Sequence, residues 1–299
     1  MRPGPALISA TLNTTAHLAP GLAGRAAFAV FRRATSRLPV RPAERSTMAK
    51  ATAGRLAVAG TEVAVYRWGT GPRPVLLVHG WRFRAARFAP LVEALLARGE
   101  SVLAFDAPGH GESAGTGTDL LELRAVIERL AHDHGPFQAV VGHSLGGLAA
   151  SYTLAEAGAD GRRLADRLVT IAAPAEFERV LNDFCALLRL GTRARRALRS
   201  RLERRVLPDV PDALRTLSAT HRPERLTLPL MVVHDEEDRV VNVDQARLLL
   251  ATFAGRADGL LTRGLGHNRI LADPEVVAAV TAFALVGGDV DQRSTQPAH

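Results

Sequence analysis

A serine at position 144 lies in the sequence GHSLGG, directly after the apolar run FQAVV. Residues Gly142 to Gly146 match the pattern G-x-S-x-G, which places a nucleophilic serine on a sharp turn between a strand and a helix. Such a turn brings its glycines so close to other backbone that a Cβ would clash. The backbone N–H of Leu145 then lies at a helix N-terminus and can donate to an oxyanion. The competing interpretation is a glycine-rich turn with only a structural role.

Two further residues could activate the Ser144 hydroxyl. A serine is inert at neutral pH without a base, and the base needs a group that orients it. Asp238 follows the apolar run LMVVH, and His267 ends the motif GLGH. Both positions are predicted at the carboxyl ends of strands, where parallel sheets place their sites. The order serine, aspartate, histidine along the chain favours a catalytic triad, with His267 as the base and Asp238 as its orienting acid.

Other residues compete for these two roles. The three acidic residues that precede Asp238 lie on the same predicted loop, and each has an alternative interpretation as a solvated side chain. Nine other histidines compete with His267. Of these, His143 is expected to pack beside the serine, and His79 and His110 are expected to be structural members of glycine-rich loops.

The segments around these residues alternate between predicted strands and predicted helices. A hairpin begins at Arg55 and turns at Ala59-Gly60. The strands that follow are almost entirely apolar, which predicts a mostly parallel sheet covered by helices on both faces, an α/β fold. The predicted strand segments are 74–80, 101–113, 137–144, 167–175, 228–238 and 257–267, and the predicted helices are 88–98, 119–134, 145–157 and 274–285.

One long segment breaks this alternation, because only helical sequence lies between Glu176 and Arg225. We expect this insertion to form a helical lid over the carboxyl edge of the sheet. The predicted organisation is a basic N-terminal arm, helical or disordered, at 1–50, an α/β core at 55–175 and 226–286, the helical lid at 176–225 and a disordered tail at 287–299.

Five motifs in this order resemble those of the α/β-hydrolase fold superfamily over roughly 55–285. The resemblance implies a helical cap, and it assigns the second oxyanion N–H to the backbone of Trp81. Two departures from the family pattern, Asp235 in place of a glycine and Asn242 in place of a proline, leave the choice between Asp238 and Asp235 open. The motifs are HGW at 79–81, DAPGHGES at 106–113, GHSLGG at 142–147, HDEED at 234–238 and GLGH at 264–267.

The resemblance, together with Ser144, Asp238 and His267, implies a serine hydrolase that cleaves a carboxylic ester of a small molecule through an acyl-enzyme. Thioesterase, C–C hydrolase and cofactor-free perhydrolase activities would use the same triad. A non-catalytic binding protein or membrane-surface scaffold on the same fold is the alternative of another class. No metal or organic cofactor is expected, since the sequence has no CxxC, HExxH or Walker pattern. The oligomeric state stays open.

Charge and composition bear on partners and location. The 299 residues carry a formal charge of +8, and Cys185 is the single cysteine, so an internal disulfide framework is excluded. No nucleic-acid motif accompanies the charge, and no nucleic-acid partner is expected. The arginine run between Arg189 and Arg205 is expected to be a solvated helix face, with binding of an acidic substrate or anionic lipid as the alternative.

The first fifty residues differ from the rest of the chain, because no acidic residue precedes Glu44 while arginines recur. This amphipathic, arginine-rich pattern allows a weak peripheral contact with a membrane. We expect a cytoplasmic protein that can lie at a membrane surface. Met48 offers a second possible start, and a chain that begins there is expected to keep hydrolase activity on a soluble ester.

Overall fold

The centre of the molecule is one eight-stranded sheet. The computed structural model describes residues 4–33, 37–206, 208 and 212–286, and the tail predicted at 287–299 lies outside the described residues. The strands are β1 (Thr52–Val58), β2 (Thr61–Trp68), β3 (Val75–Val78), β4 (Val102–Phe105), β5 (Ala139–His143), β6 (Leu168–Ile171), β7 (Leu230–Asp235) and β8 (Ala257–Thr262). Their order is β1-β2-β4-β3-β5-β6-β7-β8.

Strand direction follows the predicted division. β1 pairs with β2 and β2 pairs with β4 in antiparallel fashion, and every other neighbouring pair is parallel. All residues of β3 to β7 are buried, which explains their continuous apolar sequence. The predicted fold class, a mostly parallel sheet flanked by helices, is confirmed.

Helices cover both faces of the sheet. Among the described residues they are α1 (Pro5–Leu18), α2 (Pro20–Arg32), α3 (Arg45–Ala49), α4 (Ala89–Leu96), α5 (Leu120–His134), α6 (Leu145–Ala159), α7 (Phe177–Leu187), α8 (Thr192–Val206), α9 (Ala213–Thr216), α10 (Asp244–Thr252), α11 (Gly266–Arg269) and α12 (Pro274–Leu285). Short 3₁₀ helices lie at Pro42–Glu44, Ala85–Phe88, Pro223–Arg225 and Ile270–Ala272.

Alternate side chains of the strands supply two apolar clusters. Val75 and Leu77 belong to one cluster with buried residues of α4 and α12, whereas Leu76 and Val78 belong to another with buried residues of α5 and α6. Successive side chains of a strand point to opposite faces of the sheet, so each strand contributes to both clusters. The second cluster also includes residues from α7, α8 and α9, which lie between β6 and β7 in the stretch where a lid was predicted.

The first two helices pack on α8. A Cβ added to Gly24 would lie 2.5 Å from the carbonyl oxygen of Ala197, so α2 and α8 touch backbone to backbone. The side chain of Asn13 in α1 accepts a hydrogen bond from the Gly191 amide at 2.8 Å and donates to the Arg189 carbonyl at 3.1 Å. α1 and α2 therefore form one layer with the inserted helix.

The chain between α2 and β1 is also held against the core. Arg37 donates to the carbonyl oxygens of Gly111 at 2.7 Å and Ser113 at 2.5 Å. The indole N–H of Trp68 donates to the Thr47 carbonyl at 2.8 Å. Residues of the predicted arm thus form hydrogen bonds with polar groups of the α/β core.

These contacts change the expectation for a chain that starts at Met48. Such a chain would lose the buried side chains of Leu12, Phe28 and Phe31 and would leave the apolar face of α8 uncovered. Arg87, which is buried, would lose its hydrogen-bonded ion pair with Glu44. A buried charge without its partner is strongly destabilising, so we now expect the shortened chain to be less stable than the full chain.

Phe28→Ala tests whether the first helices belong to the packed fold. Phe28 is 7% exposed and lies under the guanidinium groups of Arg32 and Arg201. Its truncation should lower the free energy of unfolding by about 3 kcal/mol or more. Leu18→Ala is the control, because Leu18 is 84% exposed and its loss should cost no more than about 0.5 kcal/mol. Equal midpoints for both variants in denaturant titrations would contradict the packing described here.

Candidate active site

Ser144 occupies a strained turn between β5 and α6. Its φ and ψ are 54° and −128°, a combination that non-glycine residues rarely adopt. The Ser144 amide donates to the Ile171 carbonyl at 2.9 Å, and the Gly147 amide donates to the Ser144 carbonyl at 2.9 Å. A Cβ on Gly146 would lie 2.2 Å from the Val78 carbonyl oxygen, which is why only glycine fits there. The turn directs the serine hydroxyl to the carboxyl edge of the sheet.

The structure brings Ser144, His267 and Asp238 together. The Nε2 atom of His267 lies 3.1 Å from the Ser144 Oγ, and its Nδ1 atom lies 2.7 Å from Oδ2 of Asp238. Asp238 lies on the loop after β7, and His267 lies in α11, after β8. The His267 side chain is 9% exposed and that of Asp238 is fully buried. This is the hydrogen-bonded order that proton transfer from a serine hydroxyl requires.

Asp238 is held as a carboxylate. Burial alone would raise its pKa, but the hydrogen bond from His267 and further ones from the Val241 and Val240 amides outweigh burial and keep the pKa below its usual range. The two amides lie 3.0 and 2.7 Å from Oδ1. A negative charge therefore faces Nδ1 of His267 and favours a proton on that nitrogen.

Asp235, the alternative acid, forms its hydrogen bonds with other groups. Its carboxylate accepts hydrogen bonds from the Thr262 hydroxyl at 2.9 Å, the Leu265 amide at 2.9 Å and the Glu237 amide at 3.0 Å. These contacts tie the loop after β7 to the loop that carries His267. Of the two aspartates, Asp238 is the one within hydrogen-bonding distance of the His267 ring among the described residues.

His143, which precedes the serine, contacts both the backbone and the ring of His267. Its Nε2 atom lies 2.9 Å from the carbonyl oxygen of His267, and the two rings are 4.8 Å apart. Phe83 covers the other side of the His143 ring at 4.9 Å. Burial, and next the neighbouring His267, lower the pKa of His143 to about 3. The sequence places His143 beside the turn, but its bond to the His267 backbone depends on tertiary structure.

The two predicted oxyanion donors flank Ser144. Leu145 is the first residue of α6, so its amide is among those that a helix N-terminus leaves without an intrahelical partner. Trp81 follows Gly80, where an added Cβ would lie 2.6 Å from the Ser144 Cβ. Both backbone segments therefore lie beside the serine. Within the described part of the chain, no group of three or more His, Cys, Asp or Glu residues is placed to hold a metal ion.

Comparisons with known proteins agree with this fold. A sequence profile of the alpha/beta hydrolase family matches residues 75–280. The pimeloyl-[acyl-carrier protein] methyl ester esterase of Xanthomonas axonopodis pv. citri (strain 306) is 31% identical over 242 residues, which cover 70% of this chain and 93% of the esterase. A non-heme haloperoxidase of Rhodococcus erythropolis is 37% identical over 91 residues, but the match spans 29% of this chain and only 33% of that protein.

A solved structure extends the likeness. The esterase of Pyrococcus furiosus superposes with a TM-score of 0.60 at 18% identity, over 84% of this chain and 97% of the esterase. At that identity the likeness concerns the fold alone. The profile match and the Xanthomonas relative carry the assignment: this chain belongs to the alpha/beta hydrolase family. It is a hydrolase.

The neutral, buried state of His143 predicts a pH dependence of stability. Its folded pKa of about 3 lies below the ordinary value of about 6.5, so the unfolded chain takes up the proton first as the pH falls. The stability that neutral His143 contributes is fully present above about pH 6.5. It is lost as the pH falls from there toward the folded pKa, by about 1.4 kcal/mol per pH unit for one proton.

His143→Phe removes this titration and keeps a ring between Phe83 and His267. The free energy of unfolding, measured by denaturant titration from pH 6.5 to 4.5, should then fall less steeply, by about one proton's contribution. His132→Phe is the control, because the His132 side chain is 83% exposed. An unchanged slope in His143→Phe would show that His143 is not buried in its neutral form.

Proposed function

We propose that this hydrolase cleaves a carboxylic ester through an acyl-enzyme on Ser144. One observation carries the proposal: a continuous series of hydrogen bonds joins Ser144 Oγ, His267 and Asp238, at 3.1 and 2.7 Å. Ser144 lies on a strained turn that directs its hydroxyl toward His267, and the Asp238 carboxylate is fully buried on the other side of the imidazole. Nucleophile, base and orienting acid are thus in hydrogen-bonding contact.

The proposed reaction begins when His267 Nε2 takes the hydroxyl proton as Ser144 Oγ attacks the ester carbonyl carbon. The negative charge that develops on the carbonyl oxygen is held by the backbone N–H groups of Leu145 and Trp81. The imidazolium of His267 is stabilised by Asp238 and then protonates the leaving alcohol. Water then gives a proton to His267 as it attacks the acyl-enzyme carbonyl carbon, and His267 returns that proton to Ser144 Oγ as the bond to the acyl group breaks and the acid leaves.

An aromatic group beside Trp81 supports a substrate with an apolar part. The ring of Phe184 lies 6.4 Å from that of Trp81 and 5.0 Å from that of Phe31. Phe177, the first residue of α7, lies 6.2 Å from Phe31. We propose that α7 and α8, together with α2, form the lid over the site and that these rings line its inner side.

Labelling with a fluorophosphonate probe tests the proposed nucleophile and base. Wild type should be labelled, whereas Ser144→Ala and His267→Ala should not be, and kcat/KM on a short-chain soluble ester should fall by about 10⁴-fold or more in each. Ser200→Ala, in α8, is the control and should be labelled like wild type. Labelling retained in Ser144→Ala would place the reactive serine elsewhere.

Labelling and activity together separate the alternatives. Thioesterase, C–C hydrolase and perhydrolase activities would use the same residues, so labelling does not separate them from ester cleavage. If the labelled protein cleaves a thioester or a C–C bond, or forms a peracid, faster than it hydrolyses esters, the assignment moves to that activity. A folded wild type that is not labelled would favour a binding protein or scaffold on this fold.

A second proposal concerns the outer surface of α1, α2 and α8, which we call the cap face. Leu7 and Leu18 lie eleven residues apart, about three helical turns, so they share one face of α1. They are 60% and 84% exposed, and the residues between them on that face, Ala10, Thr11 and Thr14, are exposed and uncharged. Leu22 of α2 is also exposed. A solvent-facing helix surface usually carries charged side chains, and the face of α1 from Leu7 to Leu18 has none.

Arginines of α8 lie on the same layer. Arg193, Arg196 and Arg204 are exposed, and no carboxylate of the described residues lies within ion-pair distance of them. Arg193 contacts the His17 ring of α1 at 2.6 Å, which places the arginines of α8 on the same layer as the exposed leucines. Exposed leucines and arginines without a carboxylate partner fit the surface of an anionic bilayer, which takes apolar side chains and basic groups together. We propose that the cap face contacts such a surface. In the described part of the chain, no helix has the length and apolar character that crossing a bilayer requires.

Vesicle co-sedimentation tests this contact. The full chain should bind phosphatidylglycerol vesicles and not phosphatidylcholine vesicles. Changing Arg193, Arg196 and Arg204 to Gln should weaken binding by about a hundredfold, since each basic residue contributes about 1 kcal/mol. The control changes Arg129, Arg162 and Arg163 to Gln, three arginines that pair with carboxylates away from the cap face. Equal loss in both triple variants, or binding to an acidic acyl-carrier protein in place of vesicles, would overturn the membrane proposal.

A further inference from the structure

The backbone loop that carries Trp81 is held by two buried imidazoles. His79 and His110 are each 1% exposed, and their rings lie 5.3 Å apart. They belong to different segments, His79 to the end of β3 and His110 to the loop after β4. The proposed reaction uses neither of them, and both meet backbone groups on the two sides of Trp81.

His79 holds the peptide that supplies the Trp81 amide. Its Nε2 atom accepts a hydrogen bond from the Ala107 amide at 2.8 Å, so that nitrogen carries no proton. Its Nδ1–H therefore donates to the Gly80 carbonyl oxygen at 2.7 Å. That carbonyl and the Trp81 N–H belong to one trans peptide, in which the C=O and N–H bonds point in opposite directions. Holding the carbonyl thus sets the direction of the amide.

His110 holds the next peptide. Its Nε2 atom accepts a hydrogen bond from the Arg82 amide at 3.0 Å, and its Nδ1–H donates to the Pro108 carbonyl oxygen at 3.0 Å. Arg82 has a φ of 61°, a conformation that costs a non-glycine residue about 1 kcal/mol or more and needs support from its surroundings. The imidazole supplies this support, because it satisfies the amide that this backbone conformation presents.

A buried carboxylate fixes the two segments that carry these rings. Asp106 is fully buried and accepts hydrogen bonds from the Ala85 amide at 2.8 Å, the Glu112 amide at 2.9 Å and the Tyr66 hydroxyl at 2.9 Å. Arg84 adds an ion pair at 3.2 Å. The loop after β3 and the loop after β4 are therefore bound to one common group, and neither imidazole can shift alone.

We propose that His79 and His110 are positioning residues that clamp the peptides on either side of Trp81 and keep its amide directed at the oxyanion. This inference rests on the proposed function, because it assigns a purpose to the Trp81 amide. An aliphatic side chain would fill the same space but could not accept the Arg82 hydrogen bond. Glutamine carries an amide oxygen at about the distance of Nε2 and could accept it.

The clamp requires both imidazoles to be neutral, since protonation would turn each accepting nitrogen into a donor. Burial, and next His110, lower the pKa of His79 to about 4. Burial also lowers the pKa of His110. The charged groups that face the pair are Asp106, which opposes this shift, and Arg84 and Arg37, which favour it.

Kinetics of three variants test the clamp. His110→Leu should lower kcat for a soluble ester by about tenfold to a hundredfold with KM nearly unchanged, because a misdirected donor affects the transition state more than the bound ester. His110→Gln should regain most of the loss, and its affinity for a trifluoromethyl ketone, which forms an oxyanion on the serine, should recover in parallel. His132→Leu, an exposed histidine, is the control. Equal kcat in His110→Leu and wild type, or equal loss in the Leu and Gln variants, would overturn the clamp.

A second measurement does not depend on activity or on the folding of a variant. Long-range ¹H–¹⁵N spectra of the full wild-type chain, labelled in its histidines, should show His79 and His110 at pH 7 with the proton on Nδ1. A proton on Nε2 of either ring would overturn the clamp. Absence of esterase activity and of fluorophosphonate labelling in wild type, together with Nδ1–H tautomers, would count against the proposed function and leave the geometry of the clamp supported.

Discussion

The backbone conformation of Ser144 is the constraint on which the arrangement of the sheet edge depends. A φ of 54° on a residue with a side chain is unfavourable by about 1–3 kcal/mol, and it persists only when the surroundings determine it. β5 fixes the turn on one side through hydrogen bonds to β6, and α6 begins at the next residue. The neighbouring glycines let β3 and α6 approach the turn without a clash. Strain is thus local, and the packing that opposes it extends over the central strands.

The ionisable groups buried near this turn differ in charge. Asp238 is kept ionised by three hydrogen bonds, whereas burial keeps the imidazoles of His79 and His143 neutral. A cation on His143, whose ring is 4.8 Å from that of His267, would oppose an imidazolium on His267 by several kcal/mol at the low effective dielectric of a buried site. Neutral rings can pack close to the proposed base and hold its backbone without this repulsion. Buried histidines therefore give hydrogen bonds here without adding charge.

Much of this arrangement can be predicted from local sequence. The apolar runs of β3 to β7 predict the strands, and the glycines around Ser144 predict the turn. Ser144, Asp238 and His267 each follow a predicted strand, so the sequence also places them at one edge of the sheet. The sequence favours Asp238 over Asp235 only through its position after the strand, because both lie on one loop and the turn of its backbone decides which carboxylate meets His267. The helix α10 went unpredicted, since its three consecutive leucines have no clear helical period.

The packing of the first helices could not be predicted for a different reason. Their apolar faces are visible in the sequence, but the partner, α8, lies far along the chain, and no local pattern links the two. The same holds for Arg37, whose acceptors are carbonyl oxygens and leave no trace in residue type. Sequence patterns report what a segment needs to bury, whereas the fold determines against which segment it is buried.

The contact of α2 with α8 has a consequence for the synthesis of the chain. Gly24 and Ala197, which meet backbone to backbone, are separated by about 170 residues, and ribosomes add about 5–20 residues per second. The apolar face of α2 therefore emerges roughly ten to thirty seconds before its partner exists. During this interval Phe28 lacks its contact with Arg201, and Phe31 lacks its contacts with Phe177 and Phe184. The layer formed by α1, α2 and α8 is therefore completed only after α8 has been synthesised.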